Sequence, residues 1–401
     1  MVANFFIALV LFFIQPTFIV GLVLAIWTSY RRINHERSNH RVAIYSTLYE
    51  VKNYLLLGLL FGIVGSILIT VTGIPVTLDW IIAYQLVAII SLVFGYRFIH
   101  PLFTFSLSSL LLIGSSLVLD SSDFYFMPSS WYQPLSQSEF NGAPLFMNIF
   151  IILILLLITS IFTIKKNADR HLSARFLKTK RGKRIAKYPI KPFWVLPLLL
   201  IVPGESFQAF FSWWPVFSIG NEHYTFFWLP ILIGFQFTVQ SQVPKVAIAK
   251  LVKDLMILTG LALVIAISSF WVPYALIAGF VFLIIGGLIV LYRHRKREKH
   301  WSFIFGPAES GIKIIGIRPG TPAEKMDLLV GETITECNNV VIETETDFYQ
   351  ALSKNSVYCR LKVKGVDGEL RLTETAIYAD SPHEIGVVIL EKQVNSKNTY
   401  N

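Results

Sequence analysis

His35-Glu36-Arg37-Ser38-Asn39-His40 comes nearest, in a chain of 401 residues, to the pattern of a zinc-hydrolase helix. That chemistry needs two histidines four apart, so that both imidazoles leave one helix face, with a glutamate beside them as general base. Here the histidines are five apart, and Arg31, Arg32, Arg37 and Arg41 surround them, so the stretch reads as a solvated basic loop. Serine chemistry needs a Gly-x-Ser-x-Gly elbow or a histidine placed to activate the hydroxyl. Gly114-Ser115-Ser116 has neither, and its small residues suit close helix packing. Glu205, after Pro203-Gly204, is the acid nearest to membrane depth, where a carboxylate is by default a functional candidate. The short apolar run before it favours a place at the outer boundary. Cys337 and Cys359 read as free thiols rather than as a disulfide framework. No metal spacing and no cofactor motif accompanies these residues, and the expectation is a protein that is not an enzyme.

Charge offers a second kind of chemistry. The formal net charge is +10. Between Lys165 and Lys191 eleven Lys or Arg face one acid, Asp169, and Arg293 to Lys299 adds five bases against Glu298. From His300 onward fourteen acids outnumber ten bases, so the surplus belongs to particular loops and not to a folded nucleic-acid-binding surface. Such loops set orientation across a membrane and attract anionic lipid. Lys178, Lys180, Arg181, Lys183, Arg184 and Lys187 form the densest patch, a candidate for anionic lipid or for an acidic partner.

The elements that position these groups are apolar. Hydrophobic residues make up 54% of the chain and charged residues 15%, too apolar for a soluble protein of this size. Apolar runs at Phe5–Trp27, Tyr54–Val71, Trp80–Tyr96, Leu102–Leu119 and Leu145–Ile164 predict membrane helices. Phe193–Val239, interrupted by Pro197, Pro203, Pro215 and Pro230, divides into two more spans around an outer turn near Ser212–His223. Leu255–Phe270 and Tyr274–Leu291 close the set. Base-rich and base-free connections alternate, which predicts about nine spans, an outer N-terminus and a cytosolic C-terminus. The domain plan is residues 1–292 as a multi-span domain with basic cytosolic loops at 31–41 and 165–191. A basic linker at 293–300, a small domain at 301–392 and a polar tail at 393–401 follow.

The pattern changes after Trp301. Gly311-Ile-Lys-Ile-Ile-Gly-Ile317 has the β-branched bulk of a strand, and Pro319-Gly320 ends it. Thr321 then stands as a helix N-cap, with Pro322 at the first helical position and Glu324 three residues on. Asn338-Asn339 and Asp367-Gly368 predict tight hairpin turns. Thr346 is placed to cap a helix over Asp347–Lys354, and Glu384–Leu390 is a closing strand.

This run of elements resembles a PDZ domain, so the fold class expected is an α-helical polytopic membrane domain followed by a small cytosolic α+β PDZ domain. PDZ domains bind a peptide by strand addition, its carboxylate held by a Φ-Gly-Φ loop. Phe303-Ile304-Phe305-Gly306 and Ile385-Gly386-Val387 are both candidates for that loop, and Phe348 and Leu352 stand equally for groove or core. The multi-span front end, Gly311–Met326, Val330-Gly331-Glu332, Asp347–Leu352 and His383-Glu384-Ile385-Gly386 together resemble the MinJ family, the polytopic PDZ proteins of Bacillus-type division-site selection. That resemblance implies a plasma-membrane scaffold at septa and poles that links DivIVA to MinD. A PDZ-containing intramembrane protease or its regulator, and a transporter with a regulatory PDZ domain, are the alternatives.

Overall fold

The structure is a computed structural model that describes residues 9–40, 43–45, 47–118, 144–168, 170–178, 184–204, 213–219, 222–300, 304–306, 308, 310–355, 357–377 and 385–390. Helices come first: α1 (Pro16–His40), α2 (Tyr49–Leu56), α3 (Leu59–Thr72), α4 (Leu78–Phe94), α5 (Pro101–Val118) and α6 (Pro144–Asn167). Six strands follow: β1 (Arg175–Lys178), β2 (Arg184–Ile190), β3 (Phe193–Pro203), β4 (Phe217–Ile219), β5 (Glu222–Gly234) and β6 (Phe237–Val239). Two long helices, α7 (Pro244–Ser268) and α8 (Ala275–His300), complete this part. Among the described residues four helices are long and apolar enough to cross a membrane: Tyr49–Thr72, Leu145–Asn167, Pro244–Ser268 and Ala275–Lys299. Glu205 and the aromatic loop around Trp131 lie outside the described residues.

Phe193–Val239 departs most from expectation. In place of two helices it holds a long antiparallel ribbon, with β3 and β5 paired from Phe193↔Gly234 to Pro203↔Tyr224 and the short β4 added to β5 at one end. A strand rises about 3.3 Å per residue against 1.5 Å for a helix, so eleven residues cover the distance a helix of roughly twenty would. Each strand is therefore as long, end to end, as the helix expected in its place. β3 lies beside α3, with Gly58 and Gly62 against the carbonyls of Val195 and Pro197 and Ser66 against Leu199. A Cβ on Gly58 or Gly62 would overlap those carbonyl oxygens, so glycine is what lets helix and strand backbones meet.

A two-stranded ribbon leaves outward N–H and C=O groups that an apolar surrounding cannot satisfy. The helices supply the partners. Leu199 N donates to Ser66 Oγ at 2.9 Å, Leu232 N donates to the Tyr84 hydroxyl at 2.9 Å, and Gln15 Nε2 donates to Trp228 O at 2.6 Å. Val76 N donates to Ile201 O at 2.8 Å. Pro197 and Pro230 face each other across the ladder. They fall in the outward-facing set with Leu199 and with Leu232, so the N–H that proline lacks is one that would have needed an external acceptor. The prolines that argue against long helices therefore suit this hairpin.

Two further expectations are corrected. Residues 31–40 continue α1 rather than forming a loop, and residues 293–300 are the last turns of α8 rather than a linker. Both stretches have good helix formers and ion pairs to hold them, Arg32 with Glu36 and Arg297 with Asp254. In the basic stretch 165–191, α6 runs to Asn167, and β1 and β2 then pair as a second hairpin. Glu298 fixes the end of α8. Its carboxylate accepts from Gln240 N, Ser241 N and Gln242 Nε2, and its carbonyl accepts from Ser241 Oγ.

The C-terminal α+β domain contains β7 (Ile312–Ile317), α9 (Pro322–Lys325), β8 (Thr333–Cys337), β9 (Val340–Val341), α10 (Glu345–Ser353), β10 (Tyr358–Lys364), β11 (Leu370–Ala376) and β12 (Val387–Leu390). The sheet order is β11-β10-β8-β7-β12, with β9 on β8. Asn338 and Asn339 both have positive φ and make the β8–β9 turn, as their types predict. The cap of α10 is Thr344, not Thr346, because Asp347 stands three residues after Thr344 and closes a capping box. Thr321 precedes α9 but donates to Arg318 O, while the Glu324 carboxylate accepts from Gly320 N. Cys337 and Cys359 are free and buried in this domain's core.

Candidate functional site

The basic segments gather at one end of the helix bundle, and the C-terminal domain docks there. A small apolar cluster joins Ala174, Ala186 and Tyr188 of the β1–β2 hairpin to Phe305, Ile315 and Leu390. The Tyr188 hydroxyl donates to Ile315 O at 2.7 Å, and its ring meets that of Phe305 edge-on at 4.7 Å. Ala186 N donates to Phe305 O at 2.9 Å. Burial pushes the Tyr188 phenol well above its ordinary pKa, so it stays a neutral donor. Tyr188→Phe removes one buried hydrogen bond, worth about 1 kcal/mol, while keeping the ring contact. Protease release of the C-terminal domain from the full-length protein is expected to speed up several-fold, with helix content unchanged.

This interface separates the candidates for the peptide site. Phe305 is fully buried beneath Tyr188, which makes it part of the docking core and not a groove wall. Ile304 is half-buried and its carbonyl accepts from Lys313 Nζ, while Phe303 lies outside the described residues. Phe348, Ile385 and Val387 are brought together in the core of the C-terminal domain, with Leu352 half-buried at its margin. Gly386, at φ +89°, turns the chain into β12, and its carbonyl accepts from Arg318 N. A Cβ there would overlap Thr321. β12 ends the strand order, so one of its edges has no partner among the described strands. An edge strand beside a helix is the geometry that strand addition requires.

The basic patch is only partly described. Lys180, Arg181 and Lys183 lie outside the described residues, and Lys178 pairs with Arg184 across the hairpin ladder. Lys187 stands opposite Arg175 in the same ladder.

Sequence reasoning missed the buried polar cluster behind this face. Arg32 reaches Glu50 through Nε at 2.6 Å and Nη2 at 3.0 Å, and Glu36 through Nη1 at 3.2 Å. Its remaining donors meet Tyr45 O and Thr47 O, so all five guanidinium N–H groups are used. Ser29 Oγ donates to Glu50, Tyr45 N donates to Glu36, and the Tyr49 ring lies under the guanidinium at 4.3 Å. His171 stacks on Tyr49 at 4.3 Å. Burial and then Arg32 pull His171 below the ordinary histidine range, which keeps it neutral. The i, i+4 spacing of Arg32 and Glu36 was the available signal, hidden once the stretch was read as a loop. Among the described residues no group of three or more His, Cys, Asp and Glu is gathered to hold a metal.

The chain's similarity to known proteins covers both the helix bundle and the docked α+β domain. The chain is 29% identical over 383 residues to the cell division topological determinant MinJ of Bacillus subtilis (strain 168), covering 95% of this chain and 94% of that protein. Over nearly its whole length the chain is thus similar to proteins named as MinJ determinants. It is 25% identical over 379 residues to the probable cell division topological determinants MinJ of Lacticaseibacillus paracasei and Lacticaseibacillus casei (strain BD-II), covering 94% of this chain and 95% of theirs. No family model and no solved structure matches the chain. Similarity to the MinJ proteins at both ends means that bundle and C-terminal domain are matched as one unit.

Proposed function

We propose that the chain is a non-enzymatic membrane adaptor in division-site selection, recruiting division proteins through a cytosolic PDZ domain. The observation that carries this reading is its similarity, over nearly the whole of both chains, to the determinants named MinJ. In this reading the C-terminal domain is the PDZ domain, with β12 as the receiving edge and Ile385-Gly386-Val387 as the carboxylate loop. Ile385-Gly386-Val387 is favoured over Phe303–Gly306 because Phe305 is already covered by Tyr188. In this reading two strands replace two helices, so the number of crossings keeps its parity. The N-terminus is outside, and all base-rich connections face the cytosol. DivIVA-like and MinD-like proteins are the proposed partners, concentrated by confinement to the membrane. The protease alternative would have to free Glu36, whose carboxylate is held by Arg32 and Tyr45 N.

The test is a fluorescent fusion of the full chain, in cells lacking their own copy, beside a chain ending before residue 301. The full chain is expected at septa and poles with normal septum placement. The shortened chain should insert in the membrane yet fail to recruit partners. Uniform membrane signal from the full chain, or normal division with the shortened one, overturns the reading.

A further inference from the structure

A cavity of about 140 Å³ opens between the C-terminal half of α1, the segment after α6 and the segment joining β2 to β3. Its size is close to that of an apolar cavity that admits a benzene-sized guest, roughly 150 Å³. The walls here are not apolar. Arg31, Arg170, Arg175 and Lys191 line it, and the one acid on its wall, Glu50, is taken by Arg32 and Ser29. None of those four cations has an acidic partner among the described residues. Arg31 rests on the Trp27 ring at 5.1 Å and Lys191 on the Tyr96 ring at 5.8 Å, contacts that fix the side chains without neutralising them.

Three further observations point to an anion. Burial and the Arg31 charge lower the pKa of Arg175. Burial followed by Arg175, Arg31 and Arg97 lowers that of Lys191, so like charges are being held together. His171, also on the wall, has a buried Nδ1 with no hydrogen-bond partner. Its backbone sits at φ +57°, a left-handed conformation that costs energy for a residue other than glycine. A tetrahedral oxyanion would neutralise the cations and accept from Nδ1–H in one stroke. Trp27 and Tyr30 are exposed on the turn that leads to Arg31, where aromatic side chains mark headgroup level.

We propose that this pocket binds the phosphate of an anionic phospholipid headgroup. The contributing cations come from four chain segments, and the patch between Lys178 and Lys187 is not the centre of the site. The inference rests on the membrane-adaptor reading only for its level in the bilayer. The test reads lipid binding alone, so either can fail without the other.

Purified full-length protein in neutral detergent is titrated with phosphatidylglycerol, phosphatidylcholine or inorganic phosphate. Retained lipid is counted by native mass spectrometry and the unfolding midpoint is followed. Phosphatidylglycerol is expected to bind and to raise the midpoint, with phosphatidylcholine much weaker. The triple variant Arg31→Gln/Arg175→Gln/Lys191→Gln should bind phosphatidylglycerol about tenfold more weakly or worse. Its midpoint without lipid should not fall, because like charges are removed. Lys354→Gln/Lys364→Gln, in the C-terminal domain, lowers the net charge by two against three for the triple variant and should bind as the unaltered chain does. Equal binding by the triple variant, or equal loss in the control, overturns the proposal. A midpoint shift with inorganic phosphate as large as with phosphatidylglycerol overturns the lipid as the source and leaves a free-anion site.

Discussion

Gly58→Val and Gly62→Val are each expected to prevent stable assembly of the membrane domain. At both positions an added Cβ overlaps a backbone carbonyl oxygen, that of Val195 or that of Pro197, and not the movable end of a side chain. Relief requires β3 to move away from α3, which also stretches the Leu199 N to Ser66 Oγ bond. Overpacking against a backbone that cannot yield costs about 3 kcal/mol or more. The outward groups of β3 would then face an apolar surrounding without partners. The measurement is the unfolding midpoint and the monodisperse fraction in detergent. Gly114→Ala and Gly260→Ala are the controls, since nothing lies within 4 Å of a Cβ at either site. They should be neutral or gain about 0.5–1 kcal/mol from helix propensity. A Gly62→Val protein as stable as the unaltered chain would show that the hairpin does not pack on α3 in this way.

Arg32→Met carries the second large effect. The substitution leaves Glu36, whose side chain is 0% exposed, and Glu50, at 18%, without their shared cation. Breaking a buried pair by removing one partner costs about 3–5 kcal/mol, because the remaining charge is stranded. Tyr45 O and Thr47 O also lose their donors, so the connection between α1 and α2 should loosen. The triple variant Arg32→Met/Glu36→Gln/Glu50→Gln removes the stranded charges and is expected to recover most of the loss, since well-matched neutral replacement of a buried ion pair is often close to neutral. Thermal unfolding of the three proteins, with hydrogen exchange over residues 43–50, decides it. If the triple variant is no more stable than Arg32→Met alone, the loss comes from packing of the arginine stem and not from charge.

What the sequence made legible follows from what hydropathy measures. Apolar runs report burial, and four of them coincide with helices long and apolar enough to cross a membrane. They do not report backbone conformation. Pro197 and Pro230 read as interruptions of helices, whereas each occupies a strand position whose missing N–H faces outward. The C-terminal domain was more open to reading because its turns depend on local chemistry, as Asn338-Asn339 and Gly368 show. The cap of α10 was misplaced by two residues, since the choice between Thr344 and Thr346 rests on which one Asp347 reaches back to.

The candidate sites divided along the same line. Ile385, Val387 and Phe348 share the core of the C-terminal domain, with Leu352 packed at its margin. Phe305 had equal claim in sequence, and its contact with Tyr188 joins segments too distant for any window to reveal. The cationic pocket was beyond any window, because Arg31, Arg170, Arg175 and Lys191 approach one another through tertiary packing alone.

The hairpin of β3 and β5 also bears on how the protein is made. Ser66, Gln15 and Tyr84, which complete its edges, and the glycines that receive β3, all precede it in the chain. A ribbon with open edges has no stable existence in lipid, unlike a helix, whose backbone is satisfied within the segment. A chain grows from its N-terminus, so the groups that complete the edges of this ribbon are already made when residues 193–234 emerge, and no part of its backbone pairing has to wait for a later segment.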